Sequence, residues 1–412
     1  MRVERVVIAG AGLAGLRTAE ELRAKGYTGA ITMIGAESRP PYDRPPLTKK
    51  FMTGEIDDTT LRPEVAALRA QLRLGEAATG LRAGVLRTGQ GEYGFDALVV
   101  TTGAAPVRLA GPGPQRVLRT LDDAAALRSA LRPGTKLAVV GAGWIGAELA
   151  TTAALRGCRV TVVEAAPAPL AGALGAEVGA RTVPWYAAAG VDLRLGQAVE
   201  SVQPGGLALP GGGWLAADEI VTAVGVRPAV SWLAGSGVLL ENGVAVDGRL
   251  RSSVPGVYAA GDCAAYTSRR YRQRLRVEHW DSALHAPGVV AANILGGEEE
   301  YDPVPYFWSE QFGRMVQYAG HHTAADRLVW RGDPAGRDWS VCWLAGAGQS
   351  AGAAAGQPAG AGARPRLAAV LAVKRPRDLI QGRRLIASGD PVDPARLADP
   401  AVPVRDAVVS AG

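Results

Sequence analysis

The most constraining feature of the sequence is a local pattern that occurs twice: an apolar strand, a glycine-rich turn and a helix. The first copy is RVVIAGAGLAGLRTAEELRAKG (residues 5–26), followed by the strand AITMIGAE. The second copy is KLAVVGAGWIGAELATTAALRG (residues 136–157), followed by RVTVVEAA. Each copy predicts a β-α-β unit, in which two parallel strands are joined by a helix that packs on the sheet. We therefore expect an α/β fold with two parallel sheets.

The glycines of the first turn have the spacing of a dinucleotide-binding fingerprint. Gly10, Gly12 and Gly15 follow the strand and begin the helix. The first glycine permits a tight turn, the second lets a pyrophosphate approach the backbone, and the third allows close helix–strand packing. The helix N-terminus then faces the phosphate charge. Glu37 follows the next strand, where a carboxylate can bind a ribose, although a solvated surface glutamate is the alternative.

The second turn repeats this spacing with Gly141, Gly143 and Gly146. Glu164 stands at the end of the following strand, about 20 residues further on. A carboxylate there accepts hydrogen bonds from ribose hydroxyls and repels a 2′-phosphate, and no arginine immediately follows it. The pattern therefore favours NADH over NADPH. Two such units in one chain are far more specific than either alone.

Composition excludes several other classes of protein. The chain has 412 residues, of which 48% are hydrophobic and 20% charged, a balance typical of globular proteins with two or three domains at this length. The net charge is +6, but no nucleic-acid-binding motif accompanies it, so we expect no nucleic-acid partner and consider an acidic protein instead. No apolar run approaches the ~20 residues that span a bilayer, so we expect no membrane association.

The cysteines indicate a reducing compartment. Cys158, Cys263 and Cys342 are widely spaced and form no CxxC pair. This usage argues against a disulfide framework, a zinc site or an iron–sulfur cluster, so we expect no metal and a cytoplasmic location.

The order of the segments predicts that one nucleotide-binding domain is inserted into another. The first glycine unit and a later strand, VYAAGDCAAY (residues 257–266), lie on either side of the second unit. We expect a discontinuous first domain (1–110 and 236–303), an inserted second domain (111–235) and a third domain (304–412). The third begins with the alternating aromatic segment PYFWSEQFGRMVQYAGHH, typical of antiparallel strands. Within it, the Ala/Gly-rich residues 345–365 have little to bury and are expected to form a mobile loop.

At this point the chain resembles a known family, the FAD-dependent pyridine nucleotide oxidoreductases, and within it the ferredoxin and rubredoxin reductases of bacterial oxygenase systems. The resemblance extends over nearly the whole chain. The segments that carry it are PPYDRPPLTKKF (residues 40–51), LVVTTGAAP, VLRTLDDA, VGAGWIGAELA, VYAAGDCA, RVEHWDSALHAPGVVAANILG and PYFWSEQF. It implies two Rossmann-like dinucleotide-binding domains in a glutathione reductase-like arrangement and a C-terminal α+β domain.

The resemblance also assigns cofactor contacts to individual residues. Those that it places against FAD are Gly10, Gly12, Ala14, Gly15, Glu37, Arg44, Lys49, Ala78, Thr102, Gly103, Arg119, Gly261, Asp262, Trp280 and Trp308. Those that it places against NAD are Gly141, Gly143, Ile145, Gly146, Glu164 and Gly225. Asp262 resembles the carboxylate that binds the ribityl chain of the flavin. An isolated Asp in such a turn would otherwise be read as a helix cap.

Two of these positions carry the expected catalytic roles. Lys49 matches the lysine of the family's PPLSK motif, with Thr48 in place of the common serine, and Glu148 follows the second glycine turn. In relatives these positions pair beside the reactive edge of the flavin. An ammonium there can stabilise electron density on the reduced flavin, while the carboxylate keeps it ionised and oriented. The alternative is an exposed ion pair on the surface between domains, which would contribute little to stability.

The expected electron acceptor follows partly from an absence in the sequence. Disulfide reductases of this superfamily carry a CxxxxC pair early in the flavin domain, whereas no cysteine precedes Cys158. The resemblance implies that electrons pass singly to an acidic [2Fe-2S] ferredoxin, which serves a cytochrome P450 or a Rieske oxygenase. Trp280 and Trp308 would cover the flavin or simply pack in the core. The basic residues 269–276, with Arg375, Arg377, Arg383 and Arg384, could attract the ferredoxin or form solvated surfaces.

Three other functions stay open from the sequence. A rubredoxin could replace the ferredoxin, since no residue distinguishes the two. A small molecule, such as a quinone or oxygen, could accept the electrons. The protein could instead be an NADH-responsive redox sensor that acts through altered binding or oligomerisation. Neither a monomer nor a homodimer is favoured.

Overall fold

The computed structural model describes residues 3–61, 68–323, 326–346 and 364–409. Its strands, in chain order, are β1 (Arg5–Ala9), β2 (Ala30–Gly35), β3 (Ala70–Leu74), β4 (Ala78–Arg82), β5 (Val85–Thr88), β6 (Glu92–Gly94), β7 (Ala97–Val100), β8 (Ala104–Pro106), β9 (Lys136–Val140), β10 (Arg159–Val163), β11 (Asp192–Arg194), β12 (Ser201–Gln203), β13 (Gly206–Leu209), β14 (Gly213–Ala216), β15 (Glu219–Thr222), β16 (Val226–Pro228), β17 (Val244–Val246), β18 (Val257–Ala259), β19 (Ala264–Ser268), β20 (Gln273–Arg276), β21 (Tyr306–Gln311), β22 (Arg314–Gly320), β23 (Arg327–Arg331), β24 (Trp339–Ala345) and β25 (Arg366–Val373).

The helices alternate with these strands in the first two thirds of the chain and follow them at the C-terminal end. In chain order they are α1 (Leu13–Ala24), α2 (Lys50–Thr53), α3 (Leu121–Ala130), α4 (Trp144–Leu155), α5 (Ala171–Leu174), α6 (Ala176–Ala180), α7 (Val183–Ala188), α8 (Trp280–Ile294), α9 (Pro376–Ser388) and α10 (Pro394–Ala398). Among the described residues, no helix is both long and apolar enough to cross a membrane.

The first glycine unit builds a five-stranded parallel sheet. Its strand order is β18-β7-β1-β2-β3, so the late strand β18 pairs with β7 and joins the N-terminal strands. Strands β1 and β7 are apolar along almost their whole length and are buried, as expected for strands that are covered on both faces. Helices α1 and α8 pack against each other on this sheet. As expected, the chain therefore returns to the first sheet, through β18, after the inserted segment.

The second glycine unit builds a separate parallel sheet of four strands, in the order β11-β10-β9-β15. An antiparallel meander, β12-β13-β14, lies against it through a shared apolar core that includes Val140, Val163 and Leu207. The short antiparallel pair β8–β16 forms where the chain enters and leaves this region. The predicted α/β class is confirmed by the two parallel sheets, while the domain limits 111 and 235 stay predictions.

The C-terminal region is a five-stranded antiparallel sheet, in the order β21-β22-β25-β24-β23, packed against α9. This arrangement confirms the antiparallel strands expected from the aromatic alternation. Residues 347–363, which make up most of the Ala/Gly-rich segment, lie outside the described residues.

A buried ion-pair network joins this sheet to the segment that ends the described chain. The side chain of Arg331 is only 1% exposed, and its guanidinium donates to the Val402 carbonyl (2.8 Å) and to Asp378 Oδ2 (3.3 Å). The same Asp378 oxygen accepts from the Ser340 hydroxyl (2.7 Å) and from Arg375 Nε (2.9 Å). Because both charges are buried, each depends on the other for compensation.

We expect Asp378→Asn to destabilise the protein by about 3–5 kcal/mol, because the substitution leaves the Arg331 guanidinium buried without its counter-charge. Denaturant-induced unfolding followed by far-UV circular dichroism measures the loss. The matched control is Asp406→Asn, whose ion pair with Arg405 is exposed and should change stability by less than ~0.5 kcal/mol. Equal losses in the two variants would contradict this role of Asp378.

Candidate functional site

One large cavity, of about 1110 Å³, lies where the three parts of the molecule meet. The glycine turn after β1 and the loops after β2, β7 and β18 form one side of it. The start of α4 contributes Trp144, Ile145 and Glu148, and strand β21 contributes Phe307 and Trp308. The cavity lies at the carboxyl ends of parallel strands, the usual location of ligand sites in such sheets.

The first glycine turn leaves open space where a ligand would approach the backbone. Gly10 has φ +121°, and a Cβ atom there would lie 2.2 Å from the Thr101 carbonyl oxygen. A Cβ atom on Gly15 would lie 1.9 Å from the Gly10 carbonyl oxygen, so neither position has room for a side chain. Around Gly12 a Cβ atom would meet no atom within 4 Å. The second glycine therefore faces the open cavity, whereas the first and third hold strand and helix together.

The second glycine turn has the same geometry at the edge of the other parallel sheet. Gly141 has φ +102° and a Cβ atom there would lie 2.5 Å from the Ala223 carbonyl oxygen. A Cβ atom on Gly146 would lie 2.0 Å from the Gly141 carbonyl oxygen, and Gly143 again faces open space. The turn thus presents a second backbone surface on which a phosphate group could lie, at the N-terminus of α4.

Glu164 lies beside this second turn, at the carboxyl end of β10. Its two carboxylate oxygens accept hydrogen bonds from the backbone N–H groups of Ala142 (2.7 Å) and Ala166 (2.8 Å). These bonds fix the carboxylate next to the glycine turn. Gly225 follows β15 at the same edge of the sheet, so the residues expected to contact NAD lie together.

Glu37 belongs to a polar cluster at the far end of the cavity. One carboxylate oxygen accepts from the Arg44 guanidinium (2.7 Å), and the other accepts from the Tyr42 hydroxyl (2.5 Å). Arg44 also donates to the carbonyl of Arg119 (2.5 Å). Burial raises the pKa of Tyr42 well above its ordinary value, so its hydroxyl remains a hydrogen-bond donor. The cluster therefore orders the loop that follows β2.

Arg119 and Asp262 form an ion pair across the cavity wall, with Arg119 Nη2 and Asp262 Oδ2 2.7 Å apart. Asp262 lies in a single turn of 3₁₀-helix, Gly261–Cys263, directly after β18. A Cβ atom on Gly261 would lie 3.1 Å from the Cβ atom of Ala14 at the start of α1. The turn that carries Asp262 is thus packed against the first glycine turn.

The most buried charged pair of the site joins Lys49 and Glu148. Lys49 Nζ lies 2.6 Å from Glu148 Oε2, and the two side chains are 15% and 5% exposed. The same oxygen accepts from the Thr48 hydroxyl (2.5 Å), and Oε1 accepts from the Ser309 hydroxyl (2.6 Å). The pair lies on the cavity wall. It is therefore not the exposed ion pair that the sequence left as the alternative.

An aromatic wall closes the cavity on the side of the C-terminal sheet. The Trp280 indole N–H donates to Asp43 Oδ1 (2.8 Å), and the Trp280 ring lies edge-on to Trp308 with the centroids 5.7 Å apart. Burial raises the pKa of the Asp43 carboxyl, and the indole donor partly offsets this effect. Burial also lowers the pKa of His279 to about 4, so this ring is neutral where it stacks on Phe307.

The cavity brings together most of the residues that the sequence singled out. All residues expected to contact FAD line it, except Gly15, which packs behind the first turn. Of those expected to contact NAD, Ile145 lines the cavity, whereas the others lie at the edge of the second sheet. The roles of all these residues remain predictions.

The basic run at residues 269–276 is largely neutralised within the molecule. Arg269 pairs with Glu300, Arg274 with Glu241, and Arg276 with Glu278. On α9, by contrast, Arg377 and Arg384 are exposed, and neither forms an ion pair within the described part of the chain. The exposed positive charge that could attract a partner thus lies on α9 rather than on the run.

Sequence reasoning missed the hydroxyl groups that hold Glu148. In the sequence, Ser309 stands out only as part of an aromatic segment, and Thr48 only as a replacement for the family's common serine. No spacing rule could have paired Ser309 with a carboxylate 161 positions earlier in the chain. The PYFWSEQF segment did contain one signal, a serine directly after three aromatic residues on a predicted strand.

The cavity fits a dinucleotide. The open backbone at Gly12, the helix N-terminus behind it and the carboxylates of Glu37 and Asp262 are groups of the kinds that bind the phosphates and hydroxyls of such a ligand. Its volume of about 1110 Å³ reaches the upper range of natural ligand pockets, about 300–1,000 Å³.

Comparisons with known proteins agree with this geometry. Residues 4–286 match the family model described as "Pyridine nucleotide-disulphide oxidoreductase", and residues 306–363 and 359–408 match the one described as "Reductase C-terminal". The anthranilate 1,2-dioxygenase system ferredoxin–NAD(+) reductase component of Burkholderia cepacia is 35% identical, over 98% of this chain and 99% of its own. Putidaredoxin reductase of Pseudomonas putida is 30% identical, over 99% of this chain and 97% of its own.

Solved structures give the same result for the fold. The crystal structure of Fdr9 superimposes with a TM-score of 0.90 and 47% identity, covering 97% of this chain and 99% of that one. The covalent putidaredoxin reductase–putidaredoxin complex contains a chain with a TM-score of 0.89 and 30% identity, covering 98% of this chain and 97% of that one. Because the first family model matches most of the sequence and the relatives match nearly all of it, the chain belongs to the pyridine nucleotide-disulphide oxidoreductase family.

Proposed function

We propose that the protein is an NADH-dependent FAD reductase that delivers electrons one at a time to an acidic [2Fe-2S] ferredoxin of a P450 or Rieske oxygenase system. The observation that carries the proposal is the Lys49–Glu148 pair, because it joins the cavity of the first glycine turn to helix α4 of the second. The relative from Burkholderia cepacia is named as a component of a dioxygenase system, and the putidaredoxin reductase structure holds its putidaredoxin partner.

FAD, when bound, takes a hydride from NADH and releases the two electrons singly. The chain supplies the binding and the electrostatics. The first glycine turn and Asp262 hold one dinucleotide, and the second glycine turn and Glu164 hold the other. The ammonium of Lys49 places a positive charge on the cavity wall, where it stabilises the electron density that develops during hydride transfer. Glu148 holds that ammonium in place.

The position of Glu164 supports NADH as the electron donor. Its carboxylate is held by two backbone N–H groups beside the glycine turn and retains acceptor capacity for ribose hydroxyls. The same negative charge repels a 2′-phosphate at that place. NADPH is therefore expected to be the poorer donor.

The proposed acceptor docks near the aromatic wall. The guanidinium of Arg383 on α9 lies 5.2 Å from the centroid of the Tyr306 ring, and Tyr306 stacks on Trp308, which lines the cavity. The exposed Arg377 and Arg384 of the same helix offer positive charge to an acidic partner. Small electron-transfer proteins associate through such modest, salt-sensitive contacts.

Three alternatives make different predictions. A rubredoxin reductase would share all of this chemistry and would differ only in which carrier is reduced faster. A reductase of quinones or oxygen would turn over quickly without any protein carrier. A redox sensor would turn over slowly with every acceptor, and its oligomeric mass would change when it binds NADH.

The proposal also includes a cytoplasmic location, which the three unpaired cysteines support.

The proposal is tested first on the purified protein in the absence of oxygen. We expect a flavin absorption spectrum that NADH bleaches rapidly and NADPH slowly, and we expect the reduced protein to transfer electrons to an added [2Fe-2S] ferredoxin. Stopped-flow absorbance measures both steps. Bound flavin that neither nucleotide reduces would rule out the reductase function and favour the sensor.

We expect Glu164→Ala to lower the preference for NADH over NADPH by about 10- to 100-fold, because it removes both the acceptor for ribose hydroxyls and the charge that repels a 2′-phosphate. The ratio of kcat/KM for the two nucleotides measures the effect. Glu200→Ala, which removes an exposed carboxylate from the same region, should leave the ratio unchanged. An unchanged ratio in Glu164→Ala would show that another group selects the nucleotide.

We expect the double variant Arg377→Glu/Arg384→Glu to lower kcat/KM for the ferredoxin by about tenfold at low salt, with a smaller difference at high salt, because exposed charges act mainly on association. Steady-state assays over a range of salt concentrations measure this. Arg73→Glu/Arg82→Glu, at exposed positions of β3 and β4, is the matched control, because it changes the net charge by the same amount. Reduction of ferricyanide by NADH should be unaffected in all variants, and a parallel loss there would argue against docking on α9.

A further inference from the structure

Ser309 makes a directed hydrogen bond within the site. The residue is completely buried in strand β21, immediately after Trp308. Its hydroxyl oxygen lies 2.6 Å from Glu148 Oε1 and accepts a hydrogen bond from Gln311 Nε2 (3.0 Å). Because the carboxylate can only accept and the amide N–H is itself a donor, the hydroxyl proton points at Glu148.

The two oxygens of Glu148 bind two different parts of the chain. Oε2 binds Lys49 and Thr48, which belong to the segment between β2 and β3 of the first parallel sheet. Oε1 binds the Ser309 hydroxyl and, at 3.2 Å, the backbone N–H of Glu310. Of the two donors to Oε1, the hydroxyl is much the closer. Without it, the carboxylate would keep only the long backbone contact on that side and would be held less firmly against rotation about its hydrogen bonds to Oε2.

Rotation of this carboxylate would move the charge that it holds. Lys49 Nζ depends on Oε2 for its short contact, and its other hydrogen-bond partners, the Pro45 carbonyl and the Thr48 hydroxyl, lie at 3.3 Å. Hydride transfer is sensitive to displacements of about 1 Å in the groups around the reacting centre. A change at Ser309 can therefore reach the reaction through Glu148 and Lys49.

We propose that Ser309 is a positioning residue for hydride transfer: through Glu148 it fixes Lys49, and it ties strand β21, with Phe307 and Trp308, to the same charge pair. The inference rests on the proposed NADH-dependent function and deepens it. It assigns to the C-terminal sheet a part in the reductive step as well as in contact with an acceptor.

The test compares Ser309→Ala with Ser340→Ala. Ser340 is a matched control, because it is equally buried in the same sheet and its hydroxyl donates to a carboxylate, that of Asp378, outside the cavity. In anaerobic stopped-flow experiments over a range of NADH concentrations, we expect Ser309→Ala to lower the limiting rate of flavin bleaching about tenfold. The NADH concentration for half-maximal rate and the FAD content should stay within about twofold of the wild type. Ser340→Ala should leave the limiting rate unchanged.

A double-mutant cycle with Glu148→Gln shows whether Ser309 acts through that carboxylate. In the Glu148→Gln background we expect Ser309→Ala to change the limiting rate by less than about twofold, since the carboxylate is already lost. A second readout does not depend on turnover. The loss of thermal stability that Ser309→Ala causes in the FAD-saturated protein should be smaller in the Glu148→Gln background, whereas that of Ser340→Ala should be the same in both.

Two results would overturn the inference. Ser309→Ala could lower thermal stability as Ser340→Ala does and yet leave the limiting rate unchanged, in which case the serine only anchors its strand. The two substitutions could also slow bleaching independently, so that their effects multiply. Failure of the wild-type protein to be reduced by NADH would be visible in the same experiment, and it would remove the proposed function together with this inference.

Discussion

The site depends on one buried carboxylate, that of Glu148. Burying a charge is costly unless it is paired and hydrogen-bonded. Here the cost is offset by Lys49 and by donors from Thr48, Ser309 and the Glu310 backbone. These donors come from the segment between β2 and β3 of the first parallel sheet and from the C-terminal sheet, while Glu148 itself lies on α4, which follows β9 of the second parallel sheet. One side chain therefore sets the relative position of all three parts of the molecule at the cavity.

The two glycine turns have little room for side chains at two of their three glycines. In both turns a Cβ atom on the third glycine would lie about as close to the first glycine's carbonyl oxygen, at 1.9 and 2.0 Å. The middle glycine faces open space in both. The repeat is thus one of geometry as well as of sequence: two positions are closed by packing, and one is left open for a ligand. The same turn on two sheets gives the molecule two places for a dinucleotide.

Much of this arrangement could be predicted from the sequence. The two strand–turn–helix units predicted both parallel sheets, because glycine spacing and apolar runs are local signals. The alternating aromatic residues predicted the antiparallel strands of the C-terminal sheet for the same reason. Which of the basic residues remain exposed could not be predicted in this way. The sequence indicated the run at 269–276 and the arginines of α9 equally, but Glu300, Glu241 and Glu278 pair with three arginines of the run, whereas Arg377 and Arg384 of α9 are exposed.

The sequence by itself determined the fold class, the two glycine turns and the carboxylates that follow them, since each depends on neighbours within a few tens of residues. Only the tertiary structure decided how Glu148 is held. Its partners Lys49 and Ser309 lie 99 and 161 positions away in the chain. No periodic sequence pattern predicts which distant group a single hydroxyl will contact. Hydrogen bonds between distant segments form only when packing has brought the sheets together, and for that reason they are absent from any local pattern.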